Sequence, residues 1–153
     1  MPTQDFNIYT ARGYAGDLVD SGPRVVQTGL ATEGVVDFGV ALGRVTTSDP
    51  RGVVPSGDAN VFAISQREWN HEAANRPSDG TTVYAKDQSV SMIRQGYIYI
   101  QIEAAMSGST LYVTPAGVFT GANGGNTAVT NVVPEQAAAE AGEVIKARID
   151  IVA

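Results

Sequence analysis

The chain has 153 residues, no cysteine, and a formal net charge of −6 from 16 acidic and 10 basic side chains. The missing cysteine excludes disulfides, thiolate nucleophiles and thiolate-bound zinc, and the acidic balance with scattered Lys/Arg disfavours nucleic-acid and membrane-surface binding. A hydrophobic fraction of 43% against 17% charged is enough for one packed domain and too little charge for a disordered one.

In chain order, residues 1–23 read as an extended N-terminal arm rich in turn residues, and residues 24–153 as a single β domain. The arm carries Phe6, Ile8 and Tyr9, too few apolar residues for a strand with its own core, then the turn residues Gly13, Gly16, Gly22 and Pro23. It is expected to order on assembly, with Phe6 and Tyr9 as anchors. No basic segment followed by an apolar run opens the chain, so no signal peptide is expected. No window approaches the roughly 18 apolar residues of a membrane helix.

Arg24–Thr28 is a short strand candidate. Val36, Phe38, Val40 and Leu42 alternate with Asp37, Gly39 and Ala41, the period of a half-buried strand. Val61–Ile64 is a short apolar run and reads as a buried strand. Gln66–Gly80 has no strand period; a turn of helix around Glu68–Asn75 would be short, given Asn70, Asn75 and Pro77.

Thr81–Ala85 and Ser89–Ile93 read as two short strands, and Gln95-Gly96 as a turn into the strongest strand, Tyr97–Glu103. Ile98, Ile100 and Ile102 take one face of it. Tyr97, Tyr99, Gln101 and Glu103 take the other, which is either a wetted face or an interface. Leu111–Val113 and Val118–Phe119 flank Pro115-Ala116-Gly117 as a hairpin. Gly121–Asn126 reads as a surface loop. Pro134–Gly142 has proline to open and glycine to close about two helical turns. The last strand sets Ile145, Ala147, Ile149 and Ile151 against Lys146, Arg148 and Asp150.

The sum is an all-β chain, a small β-barrel or β-sandwich of about eight short strands, with at most one short helix near the C-terminus.

The inventory of chemistry is short. His71 is the only histidine, and the His-Glu pair it opens has Asn75 where a zinc helix needs a second histidine. A small hydrolase using His71 is the weakest of the functional readings. No Gly-x-Ser-x-Gly elbow, calcium loop or phosphate loop occurs. Asp17/Asp20 and Glu68/Glu72 read as solvated carboxylates. No catalytic residue, cofactor or metal site is assigned.

Several segments, in order, resemble the structural cement (head decoration) proteins of tailed bacteriophages. They are Gly13-Tyr14-Ala15-Gly16-Asp17 leading to Gly22-Pro23; Val36-Asp37-Phe38-Gly39-Val40-Ala41; Gly96-Tyr97-Ile98-Tyr99-Ile100 through Leu111-Tyr112-Val113; and Ala137–Gly142 leading into Val144–Ile149. Trp69–Gly80 has no counterpart in that pattern. The resemblance implies a non-enzymatic virion protein, made in the host cytoplasm, on the outer surface of the capsid. Its implied partners are the major capsid protein, which it would bridge, and itself, as dimer or trimer; no cofactor, nucleic acid or membrane is implied. Phe6, Tyr9, Tyr14, Trp69, Tyr97 and Tyr99 are the candidate contact residues. The alternative is a carbohydrate- or host-surface-binding β module on a virion, with Trp69, Tyr97 and Tyr99 stacking on sugars.

Overall fold

In the computed structural model the described residues are 14–19, 22–45, 49–68 and 83–151. They form twelve strands and no helix. The main sheet curls into a half-barrel. Its spine is β7 (Ser89–Gln101), a strand of 13 residues. On one path β7 is followed by β5 (Ala63–Ser65), β3 (Ala41–Arg44) and β4 (Val53–Pro55). On the other it is followed by β12 (Val144–Ile149) and β11 (Val132–Pro134). β1 (Val25–Leu30) also pairs with β7, antiparallel. Two small sheets complete the fold: β8 (Tyr112–Val113) between β9 (Phe119–Thr120) and β10 (Thr127–Ala128), and β2 (Val36–Asp37) with β6 (Val83–Tyr84).

The sheet is buried on both faces where β3, β5 and the first half of β7 lie together. Side chains alternate across a strand, so neighbours go to opposite sides. Ala41, Ile64 and Ile93 enter one core cluster, while Leu42, Ala63 and Met92 enter the other. This explains why Val61–Ile64 reads as a continuous apolar run, the pattern of a strand covered on both sides.

One expected turn and one expected strand have a different form. Gln95-Gly96 does not reverse the chain; it is a β-bulge inside the continuous β7. The register with β1 shifts there, Val26 facing Ile93 and Val25 facing Gln95, and Gly96 has φ +127°. One extra residue changes which parity faces the core. Ile93 and Ile98, of opposite parity, therefore share one cluster with Ile100 and Ile102. Conversely, the alternating run Val36–Leu42 keeps its apolar face, all four residues lying in the second cluster, but is not one strand. Gly39, at φ +74°, turns the chain between β2 and β3.

Pro134–Gly142 is not helical. Its backbone groups are bonded elsewhere: Glu135 N–H to the Lys146 carbonyl at 2.8 Å, and the Ala138 carbonyl to Met106 N–H at 2.9 Å. Gly142 N–H donates to the Ile102 carbonyl at 2.7 Å. A segment this short nucleates a helix poorly, so these tertiary bonds decide its shape. Ile151 lies beyond the end of β12 and is exposed, whereas Ile145, Ala147 and Ile149 are buried. The expected helical turn at Glu68–Asn75 falls mostly outside the described residues.

Candidate contact surface

Residues 14–19 lie along the second half of β7. Gly16 N–H donates to the Tyr99 carbonyl at 2.8 Å, Tyr99 N–H to the Asp17 carbonyl at 2.9 Å, and Val19 N–H to the Tyr97 carbonyl at 3.3 Å. Leu18 bridges Ile98 and packs on the core. Three of the candidate contact residues, Tyr14, Tyr97 and Tyr99, are thereby linked through one strip of backbone. Phe6, Tyr9 and Trp69 lie outside the described residues, as does His71.

Tyr14 sits on a tight turn. Asp17 N–H donates to the Tyr14 carbonyl at 2.9 Å, and Tyr14 N–H donates to Asp17 Oδ2 at 2.8 Å. Gly16 occupies the position with φ +87°, where a side chain is strained. It also has no room for one: a Cβ there would lie 2.8 Å from Arg67 N and 3.0 Å from Gly39 N. The two motifs around Tyr14 and Phe38 thus meet glycine to glycine. Close backbone approach is the physical reason for glycine in both.

Arg67 completes this corner. Its N–H donates to the Gly16 carbonyl at 2.8 Å, and its guanidinium lies 4.0 Å from the Tyr14 ring centroid and 4.0 Å from Asp17 Oδ2. The Arg67 side chain is almost buried, while the Tyr14 ring, at 64% exposure, keeps contact area for a partner. An aromatic ring held by a cation beneath it is a pre-ordered contact residue, with little entropy left to lose on binding. The Tyr14–Arg67 ledge borders a cleft of about 750 Å³ whose walls include Phe38, Val40, Val118 and Val144, with the exposed carboxylates Asp37 and Glu103 at its edge. Sequence reasoning missed Arg67, because a polar stretch gives no signal for one arginine turning inward.

Tyr97 and Tyr99 project from the outward face of β7 and are half-buried. Across the pair with β12, Tyr97 faces Arg148 and Tyr99 faces Lys146. The Lys146 ammonium lies 4.7 Å from the Tyr97 ring centroid. The hydrogen bond with Tyr97, and then the charge of Asp150, raise the Arg148 pKa above its ordinary value. Val133 of β11 extends this patch and is exposed. An acidic chain therefore carries a local surface of aromatic rings and cations.

No group of three or more His, Cys, Asp or Glu able to hold a metal occurs among the described residues. The arrangement offers aromatic and cationic contact area.

The family comparison decides how to read it. Residues 1–150 match the model of the structural cement protein family (E217 gp24/Pam3 gp6). The chain belongs to this family. Among solved structures, a chain from the capsid of Myoviridae phage XM1 has a similar fold, with a TM-score of 0.67 and 22% identity. The similarity covers 91% of each chain. No curated protein matches. The family is one of structural cement proteins, which directs attention to the contact surface.

Proposed function

We propose that the chain binds the outer surface of an assembled phage capsid and stabilises it by bridging neighbouring major capsid subunits. The observation that carries this reading is the family match, which runs over residues 1–150. The surface supports it: Tyr14, the β1 pair Val25 and Val26, Val35 and Val133 are large apolar residues exposed on four different segments, which suits contact with more than one neighbour. Phe6, Tyr9 and Trp69 would add contacts to those of Tyr14, Tyr97 and Tyr99; within the segment 1–23, residues 14–19 are held along β7, so the part before Tyr14 would act as the arm that reaches a neighbouring subunit.

A protein that binds the lattice and not its free subunits stabilises the lattice by mass action. Many copies, each with a modest interface, sum to a large effect. Copies of the chain associate with one another on the capsid, as dimers or trimers. The net charge of −6 opposes contact with packaged DNA. Synthesis in the host cytoplasm followed by addition to the capsid exterior fits a chain without cysteine.

Heating capsids with and without the protein, and following release of packaged DNA, tests this. Capsids lacking it should release DNA at a lower temperature; equal temperatures would overturn the cementing role. The glycan-binding alternative has no comparable support, since Lys146 already occupies one side of the Tyr97 ring.

A further inference from the structure

We infer that two copies of the chain pair through the outer edge of β1, antiparallel about a twofold axis at Val26, so that the two main sheets become one. This rests on the reading that copies of the chain associate, and it commits that reading to a dimer and to one strand.

Seven consecutive residues, Gly22–Thr28, are exposed, and Val25 and Val26 keep 39% and 44% of their surface although they point to opposite faces. Among the described residues, none closes off the outer edge of this stretch. The pairing of β1 is with β7, apart from a parallel bridge between Leu30 and Gly52.

The direction of the backbone groups follows from three bonds. Leu30 N–H donates away from β7, to the Arg51 carbonyl at 2.9 Å. Ala31 N–H donates back to the Gln88 carbonyl at 3.0 Å, beside the start of β7. The Ser91 carbonyl, opposite Thr28, accepts from Gln66 on the far side of β7 at 2.8 Å. Alternation along the strand then turns the N–H and C=O groups of Thr28, Val26 and Arg24 outward, away from β7.

This open window has two stops. At one end the Leu30–Gly52 bridge blocks the edge. At the other, Pro23 has no N–H to give and Gly22, at φ +104°, turns the chain away. The window Arg24–Thr28 is centred on Val26. A second copy laid antiparallel with Val26 facing Val26 sets Arg24 of each against Thr28 of the other. Its own Pro23 then ends the ladder before Leu30, where the block begins.

That register uses every outward group and forms about six backbone hydrogen bonds. It covers both exposed valines. It brings no like charges together, because Val25–Leu30 carries none and the two Arg24 side chains fall at opposite ends. An uncharged stretch is where copies of an acidic chain meet without repulsion. An uncharged, β-branched edge with no lysine or proline inside it is also the kind that proteins otherwise protect.

Sedimentation of the full chain over a range of concentrations tests the pairing. Wild type should show a monomer–dimer equilibrium. Val26→Lys and Val26→Glu should each raise the dimer Kd by about tenfold or more, because the twofold sets the like charges side by side. An equimolar mixture of the two variants should recover the dimer. Ile151→Lys, at an exposed apolar residue beyond β12, should leave the Kd unchanged. Circular dichroism matching wild type shows that each variant is folded, and the mixture reports on pairing even if one variant is weakened.

A monomer at all concentrations, a trimer, dimers that persist in Val26→Lys, or no recovery on mixing would overturn the inference. A monomeric wild type whose capsid binding is lost in Val26→Lys would also overturn it and assign the edge to a capsid strand. Capsid heat resistance is read separately, so the dimer can fail while the cementing role stands.

Discussion

The side-chain amide of Asn131 holds Val61 by both of its backbone groups. Oδ1 accepts from Val61 N–H at 2.8 Å, and Nδ2 donates to the Val61 carbonyl at 2.8 Å and to the Asp150 carbonyl at 2.9 Å. One buried side chain thus ties the approach to β5, the start of β11 and the end of β12. Asn131→Ala leaves an N–H and two carbonyls without their partner. The expected loss is about 2–4 kcal/mol in urea unfolding. Asn131→Asp should also destabilise, because it keeps the acceptor but removes both donated bonds and buries a charge. Stability equal to wild type in both variants would show that the clamp is idle.

Gly96 is the second sensitive point. A Cβ there would meet the Arg24 Cβ at 2.9 Å, and its φ of +127° strains any side chain. Gly96→Ala should cost about 2 kcal/mol or more. Because the bulge sets the parity of Ile98, Ile100 and Ile102, the loss should appear as deprotection of β7 amides in hydrogen exchange. Gly108→Ala provides the contrast, since its Cβ would meet nothing within 4 Å and its φ is not positive. It should change stability far less.

Tyr84 sets an alkaline limit. Burial, and next the charge of Glu68, push its hydroxyl well above the ordinary tyrosine range. An unfolded chain releases that proton near pH 10, while the folded chain keeps it. Tyr84 therefore adds no slope below pH 9. Above pH 10 it lowers stability by about 1.4 kcal/mol per pH unit, until the folded pKa is reached. Tyr84→Phe should remove that part of the decline, at the cost of the hydrogen bond to the Gln66 carbonyl, about 1 kcal/mol at neutral pH. Denaturant titrations from pH 8 to about 11 compare the two slopes; parallel curves would refute the assignment.

Tyr14 separates contact from stability. Its ring is exposed and lies against the Arg67 guanidinium. Tyr14→Ala should change unfolding free energy by about 1 kcal/mol or less. If the ring is a capsid anchor, occupancy on capsids should fall by about tenfold at subsaturating protein. Gly16→Ala, which collides with the Arg67 and Gly39 backbone, should lower stability and occupancy together. Undiminished occupancy in Tyr14→Ala would remove Tyr14 from the contact surface.

Much of the fold was legible because its signals are local. The Pro115–Gly117 hairpin, the isoleucine face of Ile98–Ile102 and the face of Ile145, Ala147 and Ile149 follow directly from turn chemistry and period two. The bulge at Arg94–Gly96 was read as a turn because glycine marks both, and only the pairing with β1 distinguishes them. Pro134–Gly142 carries helix punctuation, yet its amides are claimed by residues far away in sequence. Of the candidate surface, the exposed Tyr14 turn and the outward Tyr97 and Tyr99 were visible in the sequence. Arg67 beneath Tyr14 was not, because nothing local to residue 67 shows that Gly16 and Gly39 meet beside it.

The 13-residue strand β7 also governs when the chain can fold. Its partners come from residues 14–19, β1, β5 and β12, so pairings with it span most of the sequence. On a ribosome, β7 emerges with one side of its second half still waiting for β12. The contact order is high, and folding should take milliseconds to seconds. Stopped-flow refolding should accordingly show no microsecond phase carrying most of the amplitude. Assembly onto a capsid would then draw on chains that finish folding after synthesis.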